Sequence, residues 1–425
     1  MAVRPRRVAV IGAGAAGAMA AIFAASGDAE TLLLERTPDG GRKILISGGG
    51  RCNILPAADD ASRRFVTDSS PNTLRKMLRS WPLREQISFF EKDVGLVLAE
   101  EKETGKLFPA SNRARDVREA LFALARRRNV RLLTNTLVTG LTPIRGRWLV
   151  QREGAPALET DAVIVATGGL SVPKSGSDGL GLALLAALGH TVHTTYAALT
   201  PLVGAASPLA GLAGISLPVA ITARGPHGDA EATGGFLFTH RGYSGPAVLD
   251  VSHIAVRSLG ETVPARVMVR WTGRDASGWD AALRAGGART VAGVLRAELP
   301  DRLAAALAHL SGVDPARPLA RLPREERLRL IETLVAGELP WTGHEGYAKA
   351  EVTGGGVSLA EIDPRTLESR RCPGLFICGE ALDAFGPIGG FNFQWAWATG
   401  RAAGLGAARA PLSAPGAKAR QPPLP

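Results

Sequence analysis

The stretch Val8-Ala9-Val10-Ile11-Gly12-Ala13-Gly14-Ala15-Ala16-Gly17 decides the fold. Four apolar residues make a short buried strand. A Gly-x-Gly-x-x-Gly turn then opens into an Ala-rich helix that runs to about Ser26. Gly12 permits the tight turn, Gly14 lets backbone approach a pyrophosphate, and Gly17 lets helix and strand pack closely. The helix N-terminus offers free N–H groups and the positive end of a dipole to phosphate. Gly27 stops the helix, and Thr31–Leu34 is a second apolar strand that ends at Glu35, 18 residues after Gly17. A carboxylate placed there accepts hydrogen bonds from ribose hydroxyls. Strand, glycine turn, helix, strand and acid together predict a dinucleotide-binding βαβ unit, with Arg36 next to the acid.

Three further motifs follow. In Gly41–Asn53 the run Gly48, Gly49, Gly50 lets backbone lie against a planar ligand or wrap a phosphate, between Ser47 and Arg51. Arg42, Lys43 and Arg51 bring positive charge for a pyrophosphate. Cys52 and Asn53 come directly after the glycines, where a plain surface loop would not need them. Ala166-Thr167-Gly168-Gly169 ends the apolar strand Asp161–Ala166; it reads equally well as a strand returning beneath a dinucleotide or as a simple turn. Finally, Gly374–Asp383 sets an apolar strand before Gly379, Glu380 and Asp383, and Gly389-Gly390-Phe391-Asn392-Phe393 opens the last helix. An acid there can bind a ribityl hydroxyl. The helix N-terminus can stabilise negative charge on the N1/O2 edge of a flavin. At least two of Phe391, Phe393, Trp395 and Trp397 are expected to be core.

With these elements in this order, the sequence resembles the BaiN-like, HI-type FAD-dependent flavoprotein family. Its members are also described as aminoacetone-oxidase-like, and some as ribosomal RNA dihydrouridine synthases. The resemblance rests on Gly41–Asn53, Ala166–Gly169, Ala350–Gly356 and Gly389–Gly400, and spans roughly 6–405. It implies an α/β, Rossmann-like two-dinucleotide-binding flavoprotein fold with a discontinuous FAD domain, an inserted β domain and a nested helical domain. The expected boundaries are 1–192 and 348–410 for the FAD domain, 193–275 with 338–347 for the β domain, 276–337 for the helical domain, and 411–425 for a disordered tail. The resemblance implies FAD contacts at Gly12, Gly14, Gly17, Glu35, Ser47 to Asn53, Gly379 and Asn392. Reading the residues adds Arg36, Arg42, Lys43, Thr167, Gly168, Glu380, Asp383, Gly389, Gly390 and Phe393. Family segments vary at Ala384–Pro387, near the expected substrate face.

The 425-residue length suits two or three domains, and 45% hydrophobic residues with mean hydropathy +0.07 suffice for a sizeable core. Cys52, Cys372 and Cys378 are too few for a disulfide framework and show no zinc-site spacing, so a cytoplasmic location is expected. No run of 18 apolar residues appears, so no membrane span is expected. Arg6-Arg7 before an apolar stretch resembles a twin-arginine signal, but strand, turn and helix explain the glycines better.

The net charge is +11, and the block 63–131 alone carries 16 Lys and Arg against 9 Asp and Glu. A basic block can bind phosphate backbones, which makes ribosomal RNA a candidate partner. Because 42 of the 50 basic residues are Arg, compositional bias accounts for the same excess. No second Gly-x-Gly-x-x-Gly is present, so NAD(P)H is expected as a transient donor. The reaction expected first is reduction of an activated C=C bond, in a uridine of large-subunit ribosomal RNA or in a small-molecule enone. Cys52, Tyr243 and His240 are candidate proton donors. An amine oxidase and a non-catalytic flavin-binding module are the alternatives.

Overall fold

The glycine turn joins two strands at the heart of a parallel sheet. In a computed structural model, which describes residues 4–58, 65–204, 209–286 and 289–409, β1 (Arg7–Ile11) is the middle strand. The helix α1 (Ala15–Ala25) leads to β2 (Glu30–Leu34), and β3 (Arg131–Leu133), β4 (Ala162–Val165) and β5 (Leu375–Ile377) complete a five-stranded sheet in the order β5-β4-β1-β2-β3. All four pairings are parallel. Every residue of β4 and β5 is buried. Continuous apolar runs of this kind mark strands covered on both faces.

The two chain ends meet through α1 and the last helix, α2 (Phe391–Arg409). A Cβ built on Gly400 would lie 2.5 Å from the Ala16 carbonyl oxygen, and one on Gly404 would lie 2.3 Å from that of Ala20. Small residues spaced by four on both helices therefore allow backbone-to-backbone contact, and this explains the Ala-rich composition of α1.

The chain divides into two compact units, the first made of residues up to Thr195 and from Val352, the second Tyr196–Glu351. Each has its own buried apolar cluster. The second unit centres on the hairpin Ser216–Gly225 and Gly228–Phe238, part of a seven-stranded sheet, followed by helices Ala276–Arg284, Val291–Leu295, Asp301–Leu310 and Arg324–Ala336. The helix Pro246–Arg257 is not evident from the sequence. Its Val and Ile content favours strand locally, yet Val248, Val251 and Ile254 line up on one buried helical face.

Further elements belong to the first unit. Arg42–Ile46 is a short helix, Val352–Val357 is a buried strand, and Val138–Ile144, Arg147–Arg152 and Ala155–Thr160 form a separate three-stranded sheet. The expected disordered tail lies outside the described residues. Among the described residues, no helix is long and apolar enough to cross a membrane.

Candidate functional site

The phosphate end of the site is built by close approach. A Cβ on Gly17 would sit 1.8 Å from the Gly12 carbonyl oxygen, and one on Gly12 would sit 2.7 Å from that of Ala166. Side chains at either position would force the turn, α1 and the end of β4 apart. Around Gly14, by contrast, a Cβ would meet nothing within 4 Å. The N-terminus of α1 therefore opens onto free space, as a bound pyrophosphate requires. Beside it, Thr167 Oγ1 is shielded from solvent and has no hydrogen-bond partner among the described residues.

Glu35 is buried at the end of β2. It accepts the Ala13 N–H at 2.8 Å, the Thr37 N–H at 2.8 Å and the Thr37 hydroxyl at 2.7 Å. A carboxylate has about four acceptor positions. Glu35 thus fixes the glycine turn and retains capacity for a further donor such as a ribose hydroxyl. These features fit a dinucleotide.

A second cluster joins four segments that lie far apart in the chain. Lys43 Nζ donates to Ser171 Oγ at 2.6 Å and to Glu380 Oε2 at 2.8 Å. Glu380 Oε1 accepts from Ser171 Oγ, from the Thr353 hydroxyl and from the Thr353 N–H. The Thr353 hydroxyl in turn accepts the N–H groups of Leu170 and Ser171. Burial opposes ionisation of Glu380, but Lys43 and the hydroxyls outweigh it and hold the carboxyl below its usual range. Ser171 and Thr353 were not singled out from sequence; Thr353 does lie within the quoted Ala350–Gly356 segment.

Ser47 bonds back to the Ile44 carbonyl. The exposed backbone of Gly48, Gly49 and Gly50 is left-handed at φ 55°, 67° and 85°. Asn53, with its amide oriented by its partners, accepts the Gly390 N–H at 2.9 Å and so ties this loop to the glycine pair before α2. Gly389 is buried beside Phe391. Asn392 holds Gly386 through both N–H and C=O. Phe393 stacks on Trp397 at 5.2 Å, and Gly379 receives the Trp395 indole N–H on its carbonyl. Gly168 lies beside Ser177 with φ 74°.

A model described as the HI0933-like protein Rossmann domain matches residues 6–406. The chain belongs to the HI0933-like family. It is 34% identical over 413 residues to a 3-dehydro-bile acid delta(4,6)-reductase of Clostridium scindens, covering 95% of this chain and 100% of that protein. It is 32% identical over 394 residues to a ribosomal RNA dihydrouridine synthase of Escherichia coli, covering 92% and 95%. A solved 3-ketosteroid-delta4-(5alpha)-dehydrogenase from Rhodococcus jostii is similar over 96% of this chain and 100% of its own, with a TM-score of 0.48 at 16% identity. This HI0933-like chain has the Rossmann-like fold of its family and is an FAD-dependent oxidoreductase.

Several charged residues expected at the cofactor are paired within the protein. Arg36 pairs with Asp178, Arg42 with Asp39, and Arg51 with Glu101 while lying over the Phe108 ring. Asp383, only 2% exposed, accepts hydroxyls from Thr67 at 2.9 Å and Ser69 at 2.7 Å, with His193 Nε2 3.7 Å away. Its carboxylate organises that polar cluster, which the sequence did not reveal because Thr67 and Ser69, His193 and Asp383 come from three segments at least 124 residues apart with no shared motif.

The candidate proton donors fall apart as a set. Cys52 is fully buried in the first unit, and burial pushes its thiol up to about 12 against the opposing effect of the nearby Ser47 hydroxyl. It stays protonated at neutral pH and is a poor acid. Tyr243 is fully buried in the second unit, with its hydroxyl donated to the Gly204 carbonyl at 2.9 Å, and burial raises its pKa. Its ring packs tilted against Phe236 and edge-on against Phe238 as a core residue. His240 is exposed at the turn before the strand Gly242–Ser244.

Proposed function

We propose that the protein is an NAD(P)H-dependent reductase of a C=C bond conjugated to a carbonyl, acting on uridine in large-subunit ribosomal RNA to give dihydrouridine. Both relatives described above support the reaction class. One is named for a 3-dehydro compound with 4,6 unsaturation, the other for making dihydrouridine. In both substrates a carbonyl polarises the double bond, so a hydride adds at the far carbon and a proton at the carbon beside the carbonyl. Bound FAD supplies the hydride chemistry. The chain's own residues bind and orient. Gly12, Gly14, Gly17 and Thr167 receive the diphosphate, Glu35 a ribose hydroxyl, and the loops 47–53 and 389–392 the flavin portion.

The observation that favours RNA is the basic block 63–131. Within it Lys76, Arg79, Arg113 and Arg115 are exposed, and no carboxylate pairs with them among the described residues. Arg63 and Arg64 lie outside the described residues. A uridine must be unstacked to reach a flavin, and phosphate contacts would hold the strand while that happens.

The test is to delete the gene and digest large-subunit ribosomal RNA to nucleosides for mass spectrometry. Dihydrouridine should disappear and should return when purified protein and NADH or NADPH are added. An unchanged level in RNA that contains dihydrouridine would move the substrate to a small-molecule enone, the second reading, which the 34% identical bile-acid reductase favours.

A further inference from the structure

A cleft of about 610 Å³ opens on the surface of the first unit, away from any motif read in the sequence. One wall is the end of the helix Pro71–Arg79 and contributes Lys76 and Arg79; the other is the turn 363–370 and contributes Arg365 and Arg370. All four are exposed. None pairs with a carboxylate among the described residues. Arg370 donates its Nε to the Ile362 carbonyl, which fixes the side chain and leaves its terminal nitrogens for other partners.

The cleft has one acid, Asp363. Its Oδ1 accepts the backbone N–H groups of Arg365 at 2.8 Å and Thr366 at 3.2 Å, so it serves to hold the turn. Four cations face one committed carboxylate. Elsewhere on this protein exposed Arg side chains commonly meet acids, as Arg51, Arg224, Arg266 and Arg284 do. Lys76 and Arg79 also sit in the last turn of a helix, where cations offset the dipole. That role does not require Arg365 and Arg370, which come from nearly 300 residues further along the chain.

We infer that this cleft binds the phosphodiester backbone of the RNA substrate. Four unpaired cations converging from two distant segments make a track for consecutive phosphates, and the open cleft admits a strand. Only Lys76 and Arg79 belong to the basic block seen in the sequence; the fold adds the other two. The identity of the polyanion rests on the ribosomal RNA reading. The cleft as an anion site rests on its own geometry.

Filter binding of in vitro transcribed large-subunit ribosomal RNA over a salt series tests the inference, using full-length FAD-loaded protein. Two variants are compared: Lys76→Glu/Arg79→Glu and Arg365→Glu/Arg370→Glu. Arg321→Glu/Arg324→Glu, exposed in the second unit, is the control, with the same change in net charge outside both the cleft and the basic block. Each lost phosphate contact lowers the salt slope by about 0.7 to 0.9, so each cleft variant should bind about 10-fold or more weakly with a shallower slope. The control should lose clearly less. Equal losses in all three would reduce the effect to general charge and overturn the cleft. Wild-type-like binding by both cleft variants would also overturn it while leaving the RNA reading intact. A wild-type protein that does not bind the RNA would sink both. If the cleft variants keep RNA binding but raise the KM for NADPH, the anion held there is the nucleotide donor, and the RNA assignment fails.

Discussion

At the scale of single residues, Lys43 shows how a motif can be read correctly as charged yet be placed in the wrong company. Sequence suggests a cation for pyrophosphate. In the fold its ammonium meets Glu380 and Ser171, and the pair is largely shielded, with side chains 24% and 17% exposed. Removing one partner of such a pair strands the other charge, and that is costlier than never having had the pair. Lys43→Met should therefore lower the stability of the apo-protein by about 3 kcal/mol in denaturant unfolding. The double variant Lys43→Met/Glu380→Gln should recover most of the loss, because no charge is left without a partner. Apo-protein keeps cofactor affinity out of the comparison. If the double variant is as unstable as the single one, the loss comes from packing and not from a stranded carboxylate.

At the scale of elements, the turn that follows the helix Leu180–Ala187 is clamped to the segment 359–371 by a half-buried ion cluster. Glu361 accepts from His190 Nδ1 at 2.9 Å, from the Thr191 N–H at 3.1 Å, from the Thr191 hydroxyl at 2.8 Å and from Arg371 at 2.6 Å. Burial alone would raise this carboxyl, but the four donors win and hold it at about 2, against 4.5 for a free Glu. A depressed carboxyl stabilises the fold above about pH 4.5, and that contribution is lost as pH falls through about 2. Burial lowers His190, so its protonation below pH 6.5 favours the unfolded chain and adds to the loss in the same direction. Allowing for solvent screening, Glu361 contributes about 2 kcal/mol over that window. Glu361→Gln should be less stable at pH 7 and should lose less on acidification; an unchanged acid profile in thermal unfolding would refute the clamp. No pattern in the sequence points to this cluster, because its parts come from three places, 190–191, 361 and 371, with no shared period. The central βαβ unit was legible because each glycine there answers a local steric demand. The helix Pro246–Arg257 was not, because its β-branched residues contradict its period locally and only packing resolves the conflict. The site followed the same rule: the phosphate end could be read from spacing, whereas Ser171, Thr353 and the Asp383 cluster needed the fold.

At the scale of the whole molecule, every residue assigned to the cofactor, from Gly12 to Phe393, lies in the unit built from both chain ends. That unit has its own parallel sheet and its own buried cluster, distinct from the cluster of residues 196–351. Its two open ends are already neighbours: a Cβ on Gly355 would lie 2.4 Å from the Thr194 carbonyl oxygen. A short Gly-Ser linker from Thr195 to Val352 should therefore close the chain with little entropic cost, since loop closure is least costly when the ends are held together by the fold. The shortened protein should unfold cooperatively and should retain FAD through gel filtration, with an affinity within about 10-fold of the full chain. A 10-fold change corresponds to about 1.4 kcal/mol, small beside the contacts made by a dinucleotide. Cooperative unfolding with loss of FAD would mean that the second unit completes the cofactor site. Loss of cooperative unfolding would mean that the two buried clusters, though separate in the fold, depend on one another for stability.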